Sequence, residues 1–271
     1  IIAKLTSGKV HLSIDGKRND LSEALTKAQD VELHRFAGPH PAGNPGVQIH
    51  HIAPIKGKND IVWTCGLSSV ILIGKLFADG KIPTETIIAV NGEGIEAEKR
   101  VYYKTVRGAS FAQVLGNKED TRYIAGDVLT GKKMDSNMFV GIYDDMITAI
   151  PEPTKSELMG WAMPGFSKLS KSMTFVSSFM FWKKRYKETA ALHGGHRAFV
   201  ASGIYEEVLP MDMYPVFLIK SILTSDFDDM EGLGIYEVIE EDIALCEYVD
   251  PSKNEFQKIL RDGLDLMEKE G

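Results

Sequence analysis

The hydrophobic period of this chain changes twice, and that constrains its fold more than any single motif. Between residues 9 and 82 short alternating runs are interleaved with helical ones, from 84 to 150 apolar residues recur at every second position, and beyond 210 the helical period returns. A period of two buries one face of a strand and a period near 3.6 one face of a helix. No single repeated architecture satisfies both, so the spacing predicts successive parts of α/β, α+β and helical class.

In the first part, KVHLSI (9–14) reads as a strand, LSEALTKAQ (21–29) as a helix with Asn19 and Asp20 as N-caps, and VELHRF (31–36) as a strand. That is a β–α–β signature. After the loop GPHPAGNPG (38–46), VQIHHIA (47–53) and DIVWTCG (60–66) read as strands, and SSVILIGKLFADG (68–80) as a buried helix closed by Gly80. In the second part TETIIAV, RVYYKTV, RYIAGDVL and MFVGIYDDMITAI predict a mostly antiparallel sheet, with SFAQVL as a small helix packed on it. PEPTKSE (151–157) reads as a linker, and 158–210 has weak periodicity. The last part carries DMYPVFLIKSIL, YEVIEEDIALCEYV and a final helix. Ser252 and Glu255 there form a capping-box pattern, and Phe256, Ile259, Leu260, Leu264 and Met267 share one face.

The bulk properties narrow the function classes. With 271 residues, 44% of them hydrophobic, the chain can bury a substantial core. Its net charge of −7, with Lys and Arg interleaved among acids, argues against general nucleic-acid binding. No apolar run approaches the roughly 20 residues that span a bilayer, and the start IIAKLTSGKV lacks signal-peptide regions. Two cysteines, Cys65 and Cys246, imply no disulfide framework. A soluble, cytoplasmic chain is expected, and the missing initiator Met suggests a fragment.

Each motif carries two readings. GEGIEA (92–97) has the G-x-G-x-x-A spacing of a pyrophosphate loop, but only a few residues separate it from the next strand and its glutamates would repel phosphate. We read it as a turn between strands. His193 and His196 have a spacing that could hold a metal, yet no Cys and no acid nearer than Glu188 or Glu206 completes the set, so an exposed Gly-rich turn is the reading adopted. On a strand, His50 and His51 would point to opposite faces and could not chelate together. His40, in the Pro/Gly loop, is either a functional loop residue or a structural corner. MTFVSSFMFWKKRY (173–186) could lie against an interface or an apolar ligand; the reading adopted is a packed segment whose basic end, Lys183, Lys184 and Arg185, is solvated. LCEYVDPSKNEF (245–256) has the outline of an iron–sulfur run, but the ligand positions before and after Cys246 hold Glu240, Ile243 and Asp250. One thiolate holds no cluster, so no metal site is expected there or elsewhere.

Taken together, FAGPHPAGNPGVQIHH, VWTCGLSSVILIGKLFADGK, IAGDVLTGK, GWAMPG, GGHRAFVASGIYEEVLPMD and ALCEYVDPSKNEF resemble, in order, the NqrA family of sodium-translocating NADH:quinone reductase subunits. The resemblance covers nearly the whole chain and implies a piece truncated at both ends. It implies a partial Rossmann-like α/β domain (1–82), a β-grasp, SLBB-like domain (83–152), an irregular or SLBB-like connection (153–210), and a helical domain (211–271) like a degenerate ferredoxin-type bundle. Members usually carry Glu in place of His196 and Cys in place of Asp250. The implied role is that of a peripheral subunit on the cytoplasmic face of the bacterial inner membrane, within a complex that oxidises NADH, reduces ubiquinone and exports sodium. No cofactor is expected to be tightly bound here. Ubiquinone is the implied ligand, while NADH, flavins and iron–sulfur clusters belong to partner subunits, some of them integral to the membrane. No catalytic residue is implied. His40, Phe179 and Trp182 are the candidates for quinone or partner contact. A pure scaffold and an Rnf-type electron-transfer subunit are the alternatives.

Overall fold

The computed structural model describes residues 1–135, 137–153, 159–160, 162–169, 173–180, 186, 189–200 and 202–270. Two compact units emerge: residues 1–82 together with 195–271, and residues 83–194.

The chain opens with a short helix, α1 (Ile2–Leu5), then β1 (His11–Asp15), α2 (Glu23–Thr26) and β2 (Glu32–Phe36). β1 and β2 pair in parallel, with His11 opposite Glu32 and Ser13 opposite His34, which is the β–α–β arrangement expected. The helix is only one turn long. Ser22 caps it, accepting from Ala24 N–H at 3.3 Å, because Asp20 is held instead in a two-bonded pair with Arg18.

Two expected strands are absent. Residues 47–53 form the helix α3 (Pro45–Ile52), not a strand. Pro45 at its first turn presets the helical φ and lacks the N–H that a helix start would leave unpaired, and a run of seven residues is too short for periodicity to override that. Residues 60–66 form no strand, since no neighbour pairs with them, and Ile61 and Trp63 stand 80% and 91% exposed. The next helix, α4 (Leu67–Asp79), ends at Gly80 in the left-handed conformation, as the sequence implies, but buries none of its residues.

The second unit is a five-stranded sheet built from β3 (Glu85–Asn91), β4 (Tyr102–Val106), β5 (Thr121–Ala125), β6 (Lys132–Lys133) and β7 (Met146–Pro151), with α5 (Ala112–Leu115) between β4 and β5. The strand order is β4-β3-β7-β5-β6, so the unit's first and last strands lie side by side at its centre. They run in parallel and every other pairing is antiparallel. Ile88, Val90 and Ile147 supply the core with Phe111 and Leu115 from around α5. Each such side chain, fully buried, contributes about 1.5–3 kcal/mol. Residues 141–144 are a turn rather than strand, although Met138 and Val140 before them are buried. GEGIEA is indeed a turn. Gly92 takes a φ of 109°, and a Cβ there would lie 2.7 Å from the Ala149 amide nitrogen. Pro151 closes β7 and Glu152 is bound to Arg122 at 2.8 and 2.6 Å, so the expected linker begins later than read; its residues 154–157 lie outside the described residues.

The chain then returns to the first unit with α6 (Pro215–Thr224), α7 (Phe227–Gly232), α8 (Glu240–Val249) and α9 (Phe256–Glu270). Phe256, Leu260 and Met267 are buried as the helical face requires, against Ile219, Ile222 and Met230. The capping box does not form. Asp250, after α8, instead accepts from Tyr205 O–H (2.8 Å), Ser252 N–H (3.0 Å), Asn254 N–H (2.7 Å) and the Asn254 amide (2.9 Å), and Gln257 N–H at the start of α9 is capped by the Glu247 carboxylate at 3.0 Å. Carboxylates accept more strongly than a serine hydroxyl, Asp250 taking the amides of the turn and Glu247 that of the helix start. Among the described residues, no helix is long and apolar enough to cross a membrane.

Candidate functional site

His40, Phe179 and Trp182 do not form one site within either unit. His40 belongs to the first unit, is exposed, and precedes a cis Pro41 in the loop that leads into α3. Phe179 belongs to the second, at the end of a 3₁₀ turn (Val176–Phe179), with 66% of its surface open to solvent. Trp182, Lys183, Lys184 and Arg185 lie outside the described residues. In the described part of that segment only Ser177 is buried, while Met173, Val176 and Phe179 are exposed, so those apolar side chains are not packed into a core as read.

The polar chemistry of the first unit concentrates where α3 meets the helical part. Asn44, just before α3, donates to the Glu241 carbonyl at 2.9 Å. Gly46 lets the helix start come against the Asp242 carboxylate, and Val47 beside it is 2% exposed. Asp242 is fully buried and accepts from Ile239 N–H at 3.3 Å, while its other oxygen has no hydrogen-bond partner. Burial, chiefly, pushes its pKa up to about 6, and the neighbouring Glu241 adds to the shift.

One turn on, the helical geometry of α3 brings His50 and His51 to ring centroids 5.1 Å apart, where a strand would have separated them. His50 Nε2 accepts from Asp212 N–H at 3.0 Å, so in a neutral ring the proton sits on Nδ1, 2.9 Å from Glu237 Oε1 but off the line of a hydrogen bond. His51 Nε2 donates to the Pro210 carbonyl at 3.0 Å. Both imidazoles therefore fasten α3 to the segment that leads into α6.

Cys246 is fully buried and burial pushes its thiol up to about 12, so it is an inert packing residue. His193 and His196 are exposed and join no metal-sized grouping among the described residues. The grouping that does exist, His11, Glu32 and His34, was not foreseen. His11 lies more than twenty positions from Glu32 and His34, and only the register of β1 on β2 joins it to them; the alternation in KVHLSI and VELHRF was the signal available.

Comparison with known proteins places this geometry. Residues 1–82 match the family described as the NqrA second alpha/beta domain, and residues 87–136 the NQRA C-terminal domain. Over its full length the chain is 38% identical to the A subunit of the Na(+)-translocating NADH-quinone reductase of Neisseria meningitidis, and 36% identical to the proteins of that name from Pasteurella multocida and Histophilus somni. It spans 60% of the length of each of these relatives. Two of the family's domain models match in order and the whole length of the chain aligns to proteins of one name, so along its entire length the chain is similar to the NqrA family.

Proposed function

We propose that this chain is part of a peripheral subunit of a sodium-pumping NADH:ubiquinone oxidoreductase, acting through quinone contact, through docking to membrane subunits, or both, with no redox centre of its own. The observation that carries this is the full-length alignment to proteins named as the A subunit of that reductase. The parallel β1–α2–β2 unit supports a partial Rossmann-like domain, and the strand order β4-β3-β7-β5-β6 with its central parallel pair supports a β-grasp, SLBB-like one. The turn between α8 and α9 supports descent of the helical part from a ferredoxin-type bundle. Its lone thiol is buried, and the Asp250 carboxylate is occupied by four hydrogen bonds, so electrons would pass through flavins and clusters on partner subunits.

Docking at the cytoplasmic face of the membrane draws support from apolar surface left open on the first unit. Leu67, Ile71 and Phe77 of α4 are each more than half exposed, close in sequence to Trp63. His40, Phe179 and Trp182 remain the proposed quinone or partner contacts, the first two by virtue of exposure.

Titration of the chain with a water-soluble quinone, followed by tryptophan fluorescence, together with capture of the detergent-solubilised membrane subunits, tests the two arms. Saturable quenching at micromolar quinone that Phe179→Ala weakens supports the contact; capture without quenching leaves docking alone; failure of both overturns the proposal.

A further inference from the structure

We propose that His11, Glu32 and His34 form a binding site for a divalent first-row transition ion, with Zn²⁺ the best fit. The inference stands apart from the role proposed above, resting on the geometry of one face of the β1–β2 pair.

His11 lies directly opposite Glu32 in the parallel register, and His34 opposite Ser13, so strand alternation sets all three side chains on the same face. His11 Nδ1 and His34 Nε2 are 3.0 Å apart, and His11 Nδ1 is 3.5 Å from Glu32 Oε2. One donor atom from each of the three residues falls within 4.8 Å of the others. An ion bound at the usual zinc–nitrogen and zinc–carboxylate distances would subtend angles of about 95° at the nitrogen pair and about 117° at the nitrogen–oxygen pair. Those values bracket the tetrahedral angle, so the ligand atoms need only small movements.

Without an ion, the two imidazole nitrogens are joined by one shared proton, since one ring must donate and the other accept. A divalent cation replaces that proton and engages both lone pairs. The donor set selects the ion class. Two imidazoles and one carboxylate suit zinc and its transition-metal neighbours, whereas magnesium and calcium require oxygen ligands.

The site also has an open side. The three residues line a cleft of about 450 Å³ that continues to Phe36 and His51, whose rings lie 6.4 Å apart. A fourth ligand, water or a small anion, can enter from there. Lys9 is the built-in competitor: its ammonium sits 2.6 Å from Glu32 Oε1. It turns the other carboxylate oxygen toward His11 while lowering the local affinity for a second cation.

The test is isothermal titration of Zn²⁺ into the 271-residue chain carrying Cys65→Ser, which removes the exposed thiol as a rival ligand. One ion per chain at micromolar affinity is expected, with no response to Mg²⁺. His11→Ala and His34→Ala should each weaken binding by at least about tenfold, Lys9→Ala should tighten it several-fold, and His193→Ala should leave it unchanged. Should a histidine variant fail to fold, imidazole resonances of the wild-type chain serve instead: zinc must shift those of His11 and His34 before any other. Absence of saturable binding at millimolar Zn²⁺, or stoichiometric binding that survives both histidine substitutions, overturns the proposal.

Discussion

Replacing Gly46 by alanine tests the docking of α3 on the helical part. The added Cβ would sit 2.6 Å from Asp242 Cγ and 2.8 Å from Oδ1, closer than any stable carbon contact. Either the fully buried Asp242 rotates away and gives up its bond from Ile239 N–H, or α3 withdraws and exposes Val47. Overpacking of this kind costs about 1–3 kcal/mol. The bond lost from Ile239 N–H, on a residue 38% exposed, costs a further ~1 kcal/mol. Against this stands the helix preference of alanine over glycine, about 1 kcal/mol. The net loss is about 1–3 kcal/mol, which lowers the melting temperature of the first unit by roughly 2–12 °C. At Gly74, within α4, a Cβ would meet nothing within 4 Å, so Gly74→Ala should raise stability by about 0.5–1 kcal/mol. Calorimetry of the two variants reads opposite signs from one substitution in two helices. An unchanged or raised transition for Gly46→Ala would refute the close approach of α3 to Asp242.

Asp242 predicts a pH effect of defined sign: its pKa in the folded chain, about 6, lies above the ordinary value of 3.8, so the stability tied to its protonation is complete below the latter and lost as pH rises through the former. Asp242→Asn should therefore be more stable than wild type at pH 7–8, with the difference fading as the pH falls below about 6; a melting-temperature difference that ignores pH would count against the buried charge. Removing the four-bond acceptor in Asp250→Ala should cost about 3–5 kcal/mol in urea denaturation, because it leaves several neutral donors unpaired, and a loss under 1 kcal/mol would contradict its role. Native alkylation should modify the exposed Cys65 and spare Cys246, whose thiol is buried and pushed up to about 12; mass spectrometry showing two rapid adducts would be inconsistent with that burial.

What the sequence disclosed was governed by whether the deciding interaction was local. The alternation in residues 9–14 and 31–36 sufficed for β1 and β2, and the spacing of Phe256, Leu260 and Met267 for the buried face of α9. Gly80 was legible as a cap because its conformation is a property of one residue. Where local signals conflicted the reading failed. VQIHHIA satisfies two periods over so short a span that Pro45 and the contact with Asp242 decide for helix. Ser252 looked like a cap because Glu255 follows it, but Asp250 and Glu247 are stronger acceptors brought in by the fold. Site residues followed the same rule. His50 and His51 were visible as a pair, yet their partners Glu237, Asp212 and Pro210 lie far along the chain. The triad of His11, Glu32 and His34 exists only through strand register, which the alternation of a single strand does not fix.

The return of the chain to its first unit at Gly195 has a consequence for vectorial synthesis. The bond between His50 and Asp212 joins positions 162 residues apart, with the whole sheet unit emerging in between. At about 5–20 residues per second, α3 waits roughly 8–32 s on the ribosome before its docking partner exists. Through that interval Val47 lacks the cluster it joins in the folded chain, while residues 83–194 can already collapse around their own core. Residues 83–194 thus have their own core at hand before α3 meets the partner it docks on.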